Sequence, residues 1–150
     1  MFKRILVPVD GSRTSGLGLD HAIRLAKDQD AALCILHVID IRIMTQSLGM
    51  GAVGGERMFN ALRASGKQIL ARAEAQAGKR LVPAKAILIE NSVRGVADVI
   101  VAQAKKWRAD LIVIGTHGRR GLSRMVMGSD AEGVVRYAPA PVLLVRSKAR

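Results

Sequence analysis

The chain has 150 residues, of which 49% are hydrophobic and 24% are charged, the ordinary balance of a globular protein. This length is most simply a single domain, residues 1–150, that can bury a core. No apolar run reaches the roughly 18 residues that a membrane span needs. The run after Met1 is also too short for a signal peptide. We therefore expect a cytoplasmic protein without a membrane partner.

The net charge is +12, from 24 lysines and arginines against 12 acidic residues. Such a surface attracts polyanions without specificity. The basic residues are dispersed along the sequence, and aromatic residues make up only 3%, too few to stack single-stranded bases. We therefore expect no specific nucleic-acid partner. The single Cys34 excludes an internal disulfide, and its position inside an apolar run predicts a buried thiol.

Short aliphatic runs alternate with stretches of helical periodicity. The order β-α-β-α-β-α-β-α-β predicts an α/β fold, with a parallel sheet, right-handed crossovers and helices on both faces. In a five-stranded doubly wound sheet of order 3-2-1-4-5, strands 1 and 4 are neighbours, and ligands bind beyond their carboxyl ends. Residues 42–55 are predicted to be irregular, as a lid or a simple connection. The predicted strands are residues 5–9, 32–39, 86–89, 111–114 and 142–145.

The first predicted strand ends in Pro8-Val9-Asp10-Gly11-Ser12. A carboxylate at Asp10 can accept hydrogen bonds from a ribose hydroxyl or a base amine, or help to hold a divalent cation. Asp10 can instead begin a turn with Gly11 or cap the first helix. Near the end of the second strand, the backbone of Val38 can meet an adenine edge.

Two glycine motifs compete for a nucleotide role. Gly49, Gly51 and Gly54 match G-x-G-x-x-G, with Glu74 twenty residues further on, as in a dinucleotide fingerprint. A chain with this much glycine contains the pattern by chance about once in seven cases. The glycines also lie well beyond the second strand rather than in a tight turn after the first, so we do not favour this site.

The second motif is Gly115-x2-Gly118-x9-Gly128-Ser129, which links the run 111–114 to an amphipathic stretch. Glycines at a strand-to-helix junction let backbone N–H groups approach an anion, and the helix N-terminus adds partial positive charge. Ser129 can cap that helix and offer its hydroxyl to a phosphate. The alternative is a glycine-rich surface loop. Three arginines inside the loop favour the phosphate site: Arg119, Arg120 and Arg124.

These motifs resemble the nucleotide-binding branch of the universal stress protein family over essentially the full length. The resemblance rests on the start 5–12, on 109–115, on the loop 118–124 with Gly128-Ser129, and on the ending 138–146. It implies a five-stranded parallel α/β fold, usually a homodimer through the last strand. It also implies a stress-response role, with ATP held between the Asp10 turn and the glycine loop.

By matching position, Asp10 and the backbone near Val38 would meet adenosine, and the glycine loop would hold ribose and phosphates. Asp130 stands where the family usually has a small apolar residue. A carboxylate beside phosphates repels them unless a cation such as Mg²⁺ intervenes. The site residues that we predict are Pro8, Val9, Asp10, Ser12, Val38, Gly115, Thr116, Gly118, Arg119, Gly128, Ser129 and Asp130.

Three functions are compatible with this site. The first is an ATP-binding regulatory protein with slow hydrolysis at most, which we favour because the sequence has no Walker A, H-E-x-x-H or C-x-x-C pattern. The second is a Mg²⁺-dependent ATPase or phosphotransferase with Asp10 or Asp130 on the metal and His117 near the γ-phosphate. The third is a stress-associated interaction module with a vestigial site. His37, inside a strand run, is predicted to be a partly buried, hydrogen-bonded residue.

Overall fold

A computed structural model describes residues 1–42, 52–91, 93–116 and 127–147. Its five strands form one sheet in the order β3-β2-β1-β4-β5, and all four strand pairs are parallel. The predicted α/β fold and strand order are therefore confirmed. The elements are β1 (Arg4–Pro8), α1 (Arg13–Gln29), β2 (Ala32–Asp40), α2 (Ala52–Gly78), β3 (Ala84–Asn91), α3 (Val96–Trp107), β4 (Leu111–Gly115), α4 (Ser129–Tyr137) and β5 (Val142–Val145).

Alternate residues of the central strands fill two separate cores. Ile5 and Val7 of β1 face α1 and α2, whereas Leu6 between them faces α3 and α4. A strand that is covered on both faces must be apolar at every position, which explains the continuous aliphatic runs. Cys34 lies fully buried in the second core, as expected, and burial raises the pKa of its thiol.

Helix α2 begins earlier than the sequence suggested. Residues 42–55 were expected to be irregular, but α2 starts at Ala52 and includes Gly54, so this part of the prediction is wrong. Each interior glycine destabilises a helix by about 1 kcal/mol relative to alanine. The burial of Leu70 and Ala73 against the sheet, in the later turns of this long helix, offsets that loss. Gly49 and Gly51 lie outside the described residues.

Within the described parts of the chain, no helix is both long enough and apolar enough to cross a membrane.

Candidate functional site

Three of the predicted site segments, at the ends of β1, β2 and β4, lie at the same edge of the sheet. Leu6 pairs with Ile112 of β4, and Asp10 and Thr116 each follow this pair by four residues at the same edge of the sheet. On the other side of β1, Pro8 pairs with Leu36 of β2, and that offset places Asp10 level with Val38. The Val9 N–H donates to the Leu36 carbonyl at 2.8 Å, so this ladder continues past the end of β1. The carboxyl ends of β2, β1 and β4 therefore converge at the switch point of the sheet.

Asp10 begins a tight turn into α1. Its Oδ1 accepts the N–H of Ser12 at 2.9 Å, and Gly11 between them has φ of 80°, a conformation that favours glycine. Ser12 is the N-cap of α1, and its Oγ accepts the N–H of Ser15 at 3.2 Å. The turn that we considered for Asp10 is present, and the capping role belongs to Ser12. The turn fixes the Asp10 carboxyl group at the mouth of the site.

Sequence reasoning missed Ser15, which holds the same turn from within the helix. Its hydroxyl donates to the Ser12 carbonyl at 3.0 Å and accepts the Asp10 N–H at 3.3 Å. Ser15 is buried, where an unpaired hydroxyl would be costly. The sequence marks Ser12 as a favourable N-cap residue, but no pattern in it marks the role of Ser15.

His37 supports the other side of the Asp10 turn. The Nδ1 atom of this buried side chain lies 2.7 Å from the Val9 carbonyl oxygen. A carbonyl can only accept, so Nδ1 carries the proton. The helix α2 closes over the ring at Gly66, where an added Cβ would come within 2.8 Å of His37 Cδ2. The predicted hydrogen bond of His37 is confirmed, but the side chain is buried rather than only partly buried. It orients the residue directly before Asp10.

Gly115, the last residue of β4, has a packing role that the motif did not reveal. A Cβ at this position would lie 2.9 Å from the carbonyl oxygen of Thr14 and 3.1 Å from the Ser15 nitrogen. These are backbone atoms in the first turn of α1, which cannot move away cheaply. Gly115 therefore lets α1 and β4 approach closely at the site.

Backbone hydrogen bonds join the two ends of the glycine loop. The Thr116 N–H donates to the Val145 carbonyl at 2.9 Å, and the Gly128 N–H donates to the Thr116 carbonyl at 2.8 Å. The amide of Gly128 is thus used inside the protein. Thr116 is buried at this junction. The loop residues named from the sequence lie outside the described residues: His117, Gly118, Arg119, Arg120 and Arg124.

Helix α4 points its N-terminus toward the end of β4. Its N-cap is Gly128, with φ of −62° and ψ of 147°, and Ser129 is the first helical residue. The expectation that Ser129 caps this helix is therefore wrong, because the extended N-cap conformation falls one residue earlier. Asp130 and Glu132 lie in the first turn, where carboxylates stabilise the helix dipole. The Ser129 and Asp130 positions remain at the helix end that attracts anions.

Several charged groups surround the same end of the sheet. Arg42 forms an ion pair with Asp40 at 2.8 Å. The hydrogen bonds to Asp40 raise the pKa of Arg42 above its ordinary value, and the carboxylates of Asp98 and Asp130 add to the effect. Asp130 therefore lies in the field of Arg42 and does not form an isolated negative site. Among the described residues, no three His, Cys, Asp or Glu side chains are grouped so that they could hold a metal ion.

Comparison with known proteins supports the resemblance. Residues 1–146 match the universal stress protein family. The chain belongs to this family. Similar relatives include a universal stress protein of Methanocaldococcus jannaschii, 36% identical over 97% of this chain and 83% of the relative. Another is universal stress protein YxiE of Bacillus subtilis, 36% identical over 97% of this chain and 100% of the relative.

Solved structures share the same fold. A universal stress protein family member from Burkholderia pseudomallei is 31% identical, with a TM-score of 0.78 over 97% of this chain and 96% of that one. The Archaeoglobus fulgidus universal stress protein in complex with dAMP is 23% identical, with a TM-score of 0.67 over 95% and 97% of the two chains. A universal stress protein in complex with cAMP is 22% identical, with a TM-score of 0.71 over 98% of each chain.

Proposed function

We propose that this universal stress protein binds an adenine nucleotide, with ATP as the preferred ligand, at the carboxyl edge of β2, β1 and β4. The observation that carries the proposal is that Asp10, Val38 and Thr116 follow the last paired residues of β1 with β2 and with β4 at the same edge of the sheet. This part of the edge lies at the switch point, where doubly wound sheets bind nucleotides. The protein would act in the cytoplasm as a stress-response regulator whose state follows the bound nucleotide, with slow hydrolysis at most.

The adenosine end of the ligand would lie between the Asp10 turn and β2. The Asp10 turn is held by Ser12, Ser15 and the Val9 carbonyl contact with His37, so its carboxyl group would need little reorganisation on binding. A carboxylate is a strong acceptor for a ribose hydroxyl or the adenine amine. Val38 lies in β2, two residues beyond the Pro8–Leu36 pair, and its half-buried side chain suits the edge of a base. The adjoining Pro8 and Val9 would line the same side.

The phosphate end would lie against the N-terminus of α4. Ser129 at the first helical position supplies a hydroxyl and a helix-end amide, and both suit phosphate oxygens. The Gly128 amide donates to Thr116, so Gly128 would act by shaping the loop. Gly118 and Arg119 would complete the phosphate contacts. Asp130 would favour a phosphate chain carrying Mg²⁺, because the cation offsets the repulsion between like charges.

The nucleotide class is supported by the solved relatives. Two universal stress proteins that share this fold are described in complex with dAMP and with cAMP. These two ligands have an adenine base and a phosphate in common, but they differ at the sugar and in the number of ester bonds. Adenine recognition is therefore the part of the proposal that the relatives support most directly, and the preference for a triphosphate rests on the glycine loop of this chain.

The experiment is isothermal titration of the nucleotide-free protein with ATP and AMP, each with and without Mg²⁺. We expect both nucleotides to bind, and ATP to bind more tightly when Mg²⁺ is present. Inorganic triphosphate serves as the control for the phosphate end alone. The proposal would be overturned if neither ATP nor AMP released heat on titration and neither displaced the other from the protein. Phosphate release measured in the same samples distinguishes a binding protein from an ATPase.

We also propose that the protein is a homodimer joined through β5. This strand is an edge of the sheet, and its Leu143 and Leu144 are each 37% exposed. An exposed apolar edge strand readily pairs with another strand. Light scattering after gel filtration should give twice the chain mass for the wild type and a lower mass for Leu144→Lys. The control, Val135→Lys on the exposed face of α4, should remain a dimer, and a monomeric wild type would contradict the proposal.

A further inference from the structure

The amino end of the sheet, opposite the nucleotide site, gathers many of the basic residues that are dispersed in the sequence. Helices α1, α2 and α3 end there, and strands β1 to β4 begin there. Against the eight exposed cations stand only three carboxylates in the same turns, those of Asp28, Asp30 and Asp110. The eight cations are Lys3, Arg4, Lys27, Lys79, Arg80, Lys105, Lys106 and Arg108.

Neighbouring acids do not neutralise this basic surface. The three ion pairs found within the described residues, Arg42–Asp40, Arg63–Glu90 and Arg136–Glu132, all use other cations. The Asp110 carboxylate accepts the backbone N–H groups of Lys3 and Arg4, at 2.7 and 2.9 Å. Basic residues near helix C-termini are favourable for the helix dipole. That effect accounts for Lys27, Lys105 and Lys106, which lie in the last turns of α1 and α3. The Lys3 ammonium donates to the carbonyls of Gln29 and Asp30 at the end of α1, at 3.1 and 3.4 Å. Neither explanation applies to the remaining four cations, Arg4, Lys79, Arg80 and Arg108.

The basic surface also presents one apolar side chain in an unfavourable backbone conformation. Leu81 is 91% exposed and has φ of 58°. Leu81 follows the end of α2. Its N–H donates to the Gly78 carbonyl, and the N–H of the next residue, Val82, donates to the Ala77 carbonyl. Glycine is the usual residue at this position of such a helix end, because a side chain there is strained. Stability therefore does not account for the leucine.

The same departure from glycine recurs around this surface. In the described residues, the non-glycine positions with positive φ are Asp30, Leu81 and Arg108, and each follows the end of a helix on this side of the sheet. Arg108 repeats the pattern of Leu81 after α3, since the Ala109 N–H bonds to the Ala104 carbonyl at 2.9 Å. Of the three strained positions, Leu81 thus presents an apolar side chain next to Lys79 and Arg80, and Arg108 presents a cation next to Lys105 and Lys106.

We propose that the amino-end basic surface docks the protein onto an anionic lipid bilayer, with the Lys and Arg side chains at the headgroups and Leu81 inserted between them. The charged turns extend over three strand spacings, about 14 Å, which suits an extended surface better than a single small ligand. Binding at a membrane interface combines basic side chains at the headgroups with apolar side chains inserted beside them, and Leu81 among these cations supplies one such apolar side chain. Nucleic acid would use the charges but not the leucine. This proposal replaces the expectation of no membrane partner, which rested on the absence of a spanning segment. Among the described residues there is no such helix, and binding at the membrane surface needs none.

The experiment is co-sedimentation of the whole chain with vesicles at about 0.15 M salt. Vesicles of phosphatidylcholine are compared with vesicles in which about a third of the lipid is phosphatidylserine. We expect binding to the anionic vesicles alone. The combined K105Q, K106Q and R108Q variant should lose about a hundredfold in partition, since each charge contributes about fivefold. The control removes three exposed cations from other helix surfaces, by R24Q, R57Q and R72Q, and should lose far less.

The Leu81→Gly variant separates docking from folding. It should bind anionic vesicles about tenfold more weakly while unfolding at a higher temperature than the wild type, because glycine relieves the backbone strain. Unchanged vesicle binding in this variant would overturn the insertion of Leu81. Equal binding to neutral and anionic vesicles, or no binding to either, would overturn the proposal as a whole. Binding to a short DNA duplex without binding to anionic vesicles would also overturn it, in favour of a nucleic-acid partner.

Discussion

The two ends of the parallel sheet use glycine in opposite ways. At the carboxyl end, Gly11 takes a positive φ and Gly115 lets α1 pack on β4 without a side chain between them. At the amino end, Leu81 and Arg108 take positive φ without being glycine. At the carboxyl end, glycines let main-chain segments pack closely without intervening side chains, which suits a ligand that binds main-chain groups. The other end accepts strain and presents side chains. The contrast implies that the carboxyl end is selected for close backbone approach and the amino end for surface chemistry.

The strongest test of the carboxyl end is Gly115→Val. An added side chain meets the Thr14 carbonyl and the Ser15 nitrogen, and overpacking against backbone costs about 1–3 kcal/mol or more. We expect the free energy of unfolding, measured with urea, to fall by about 3 kcal/mol. The control is Gly16→Ala, where nothing lies within 4 Å of the added Cβ. It should raise stability by up to about 1 kcal/mol, because alanine is the better helix former.

If both glycine variants had the same stability, the close approach of α1 and β4 would not be required. If Gly115→Val folded normally but failed to bind nucleotide, its glycine would serve the ligand and not the packing. The combination of lower stability and weaker binding is the result that the structure predicts.

The role of Gly115 marks the limit of what the sequence could predict. The alternation of aliphatic runs and helical periods was sufficient for the parallel sheet, and the resemblance and the topology rules agreed on its strand order. The packing of Gly115 on Thr14 depends on how closely α1 crosses β4, which is a tertiary distance that no local pattern contains. The same is true of the support that His37 gives to Val9. The error at Ser129 was different, because a cap was assigned from residue preference while the backbone placed it at Gly128.

The gathering of cations at the amino end was also hidden in the sequence. The eight residues are spread from Lys3 to Arg108 and become neighbours because every helix of a parallel α/β fold ends beside the next strand's start. Composition alone therefore predicted a general basic surface. Only the fold separates a cation-rich amino end from a carboxyl end where Arg42 pairs with Asp40 and the carboxylates of Asp98 and Asp130 raise its pKa further.

The next prediction concerns the nucleotide contact of Asp10. In Asp10→Asn the side-chain oxygen can still accept the Ser12 N–H, so the turn should persist, but the charge is lost. A hydrogen bond to a charged group contributes about 1.5–3 kcal/mol, so we expect ATP and AMP to bind about tenfold more weakly by titration. The control Asp28→Asn makes the same charge change at the far end of α1 and should leave binding unchanged. Equal affinities for wild type and Asp10→Asn would show that Asp10 only shapes the turn.

At the amino end the test is the reverse of Gly115→Val, because a glycine is introduced at Leu81 rather than removed. Leu81→Gly should raise the free energy of unfolding by about 1 kcal/mol, because a side chain costs roughly that much in the left-handed region. Leu81→Ala is the matched control, since it removes most of the exposed apolar surface while keeping the Cβ that causes the strain. Urea unfolding should therefore show a gain for glycine and little change for alanine. A similar gain in both variants would attribute the effect to the apolar side chain and not to the backbone.

The smallest effect is expected for Asp130, which lies in the first turn of α4 at the phosphate end of the proposed site. Removing its charge in Asp130→Asn reduces the repulsion of a phosphate chain by an amount that solvent largely screens, about 0.6 kcal/mol. ATP without Mg²⁺ should therefore bind about threefold more tightly, whereas ATP with Mg²⁺ and AMP should change less. Glu132→Gln, two residues further along the same turn, controls for the loss of a first-turn carboxylate, and Arg136→Gln controls for the ion pair that this variant also breaks. An equal gain for AMP and for ATP would mean that Asp130 acts on the whole site, and a weaker binding of the Mg²⁺ complex would instead show that its carboxylate helps to hold the cation.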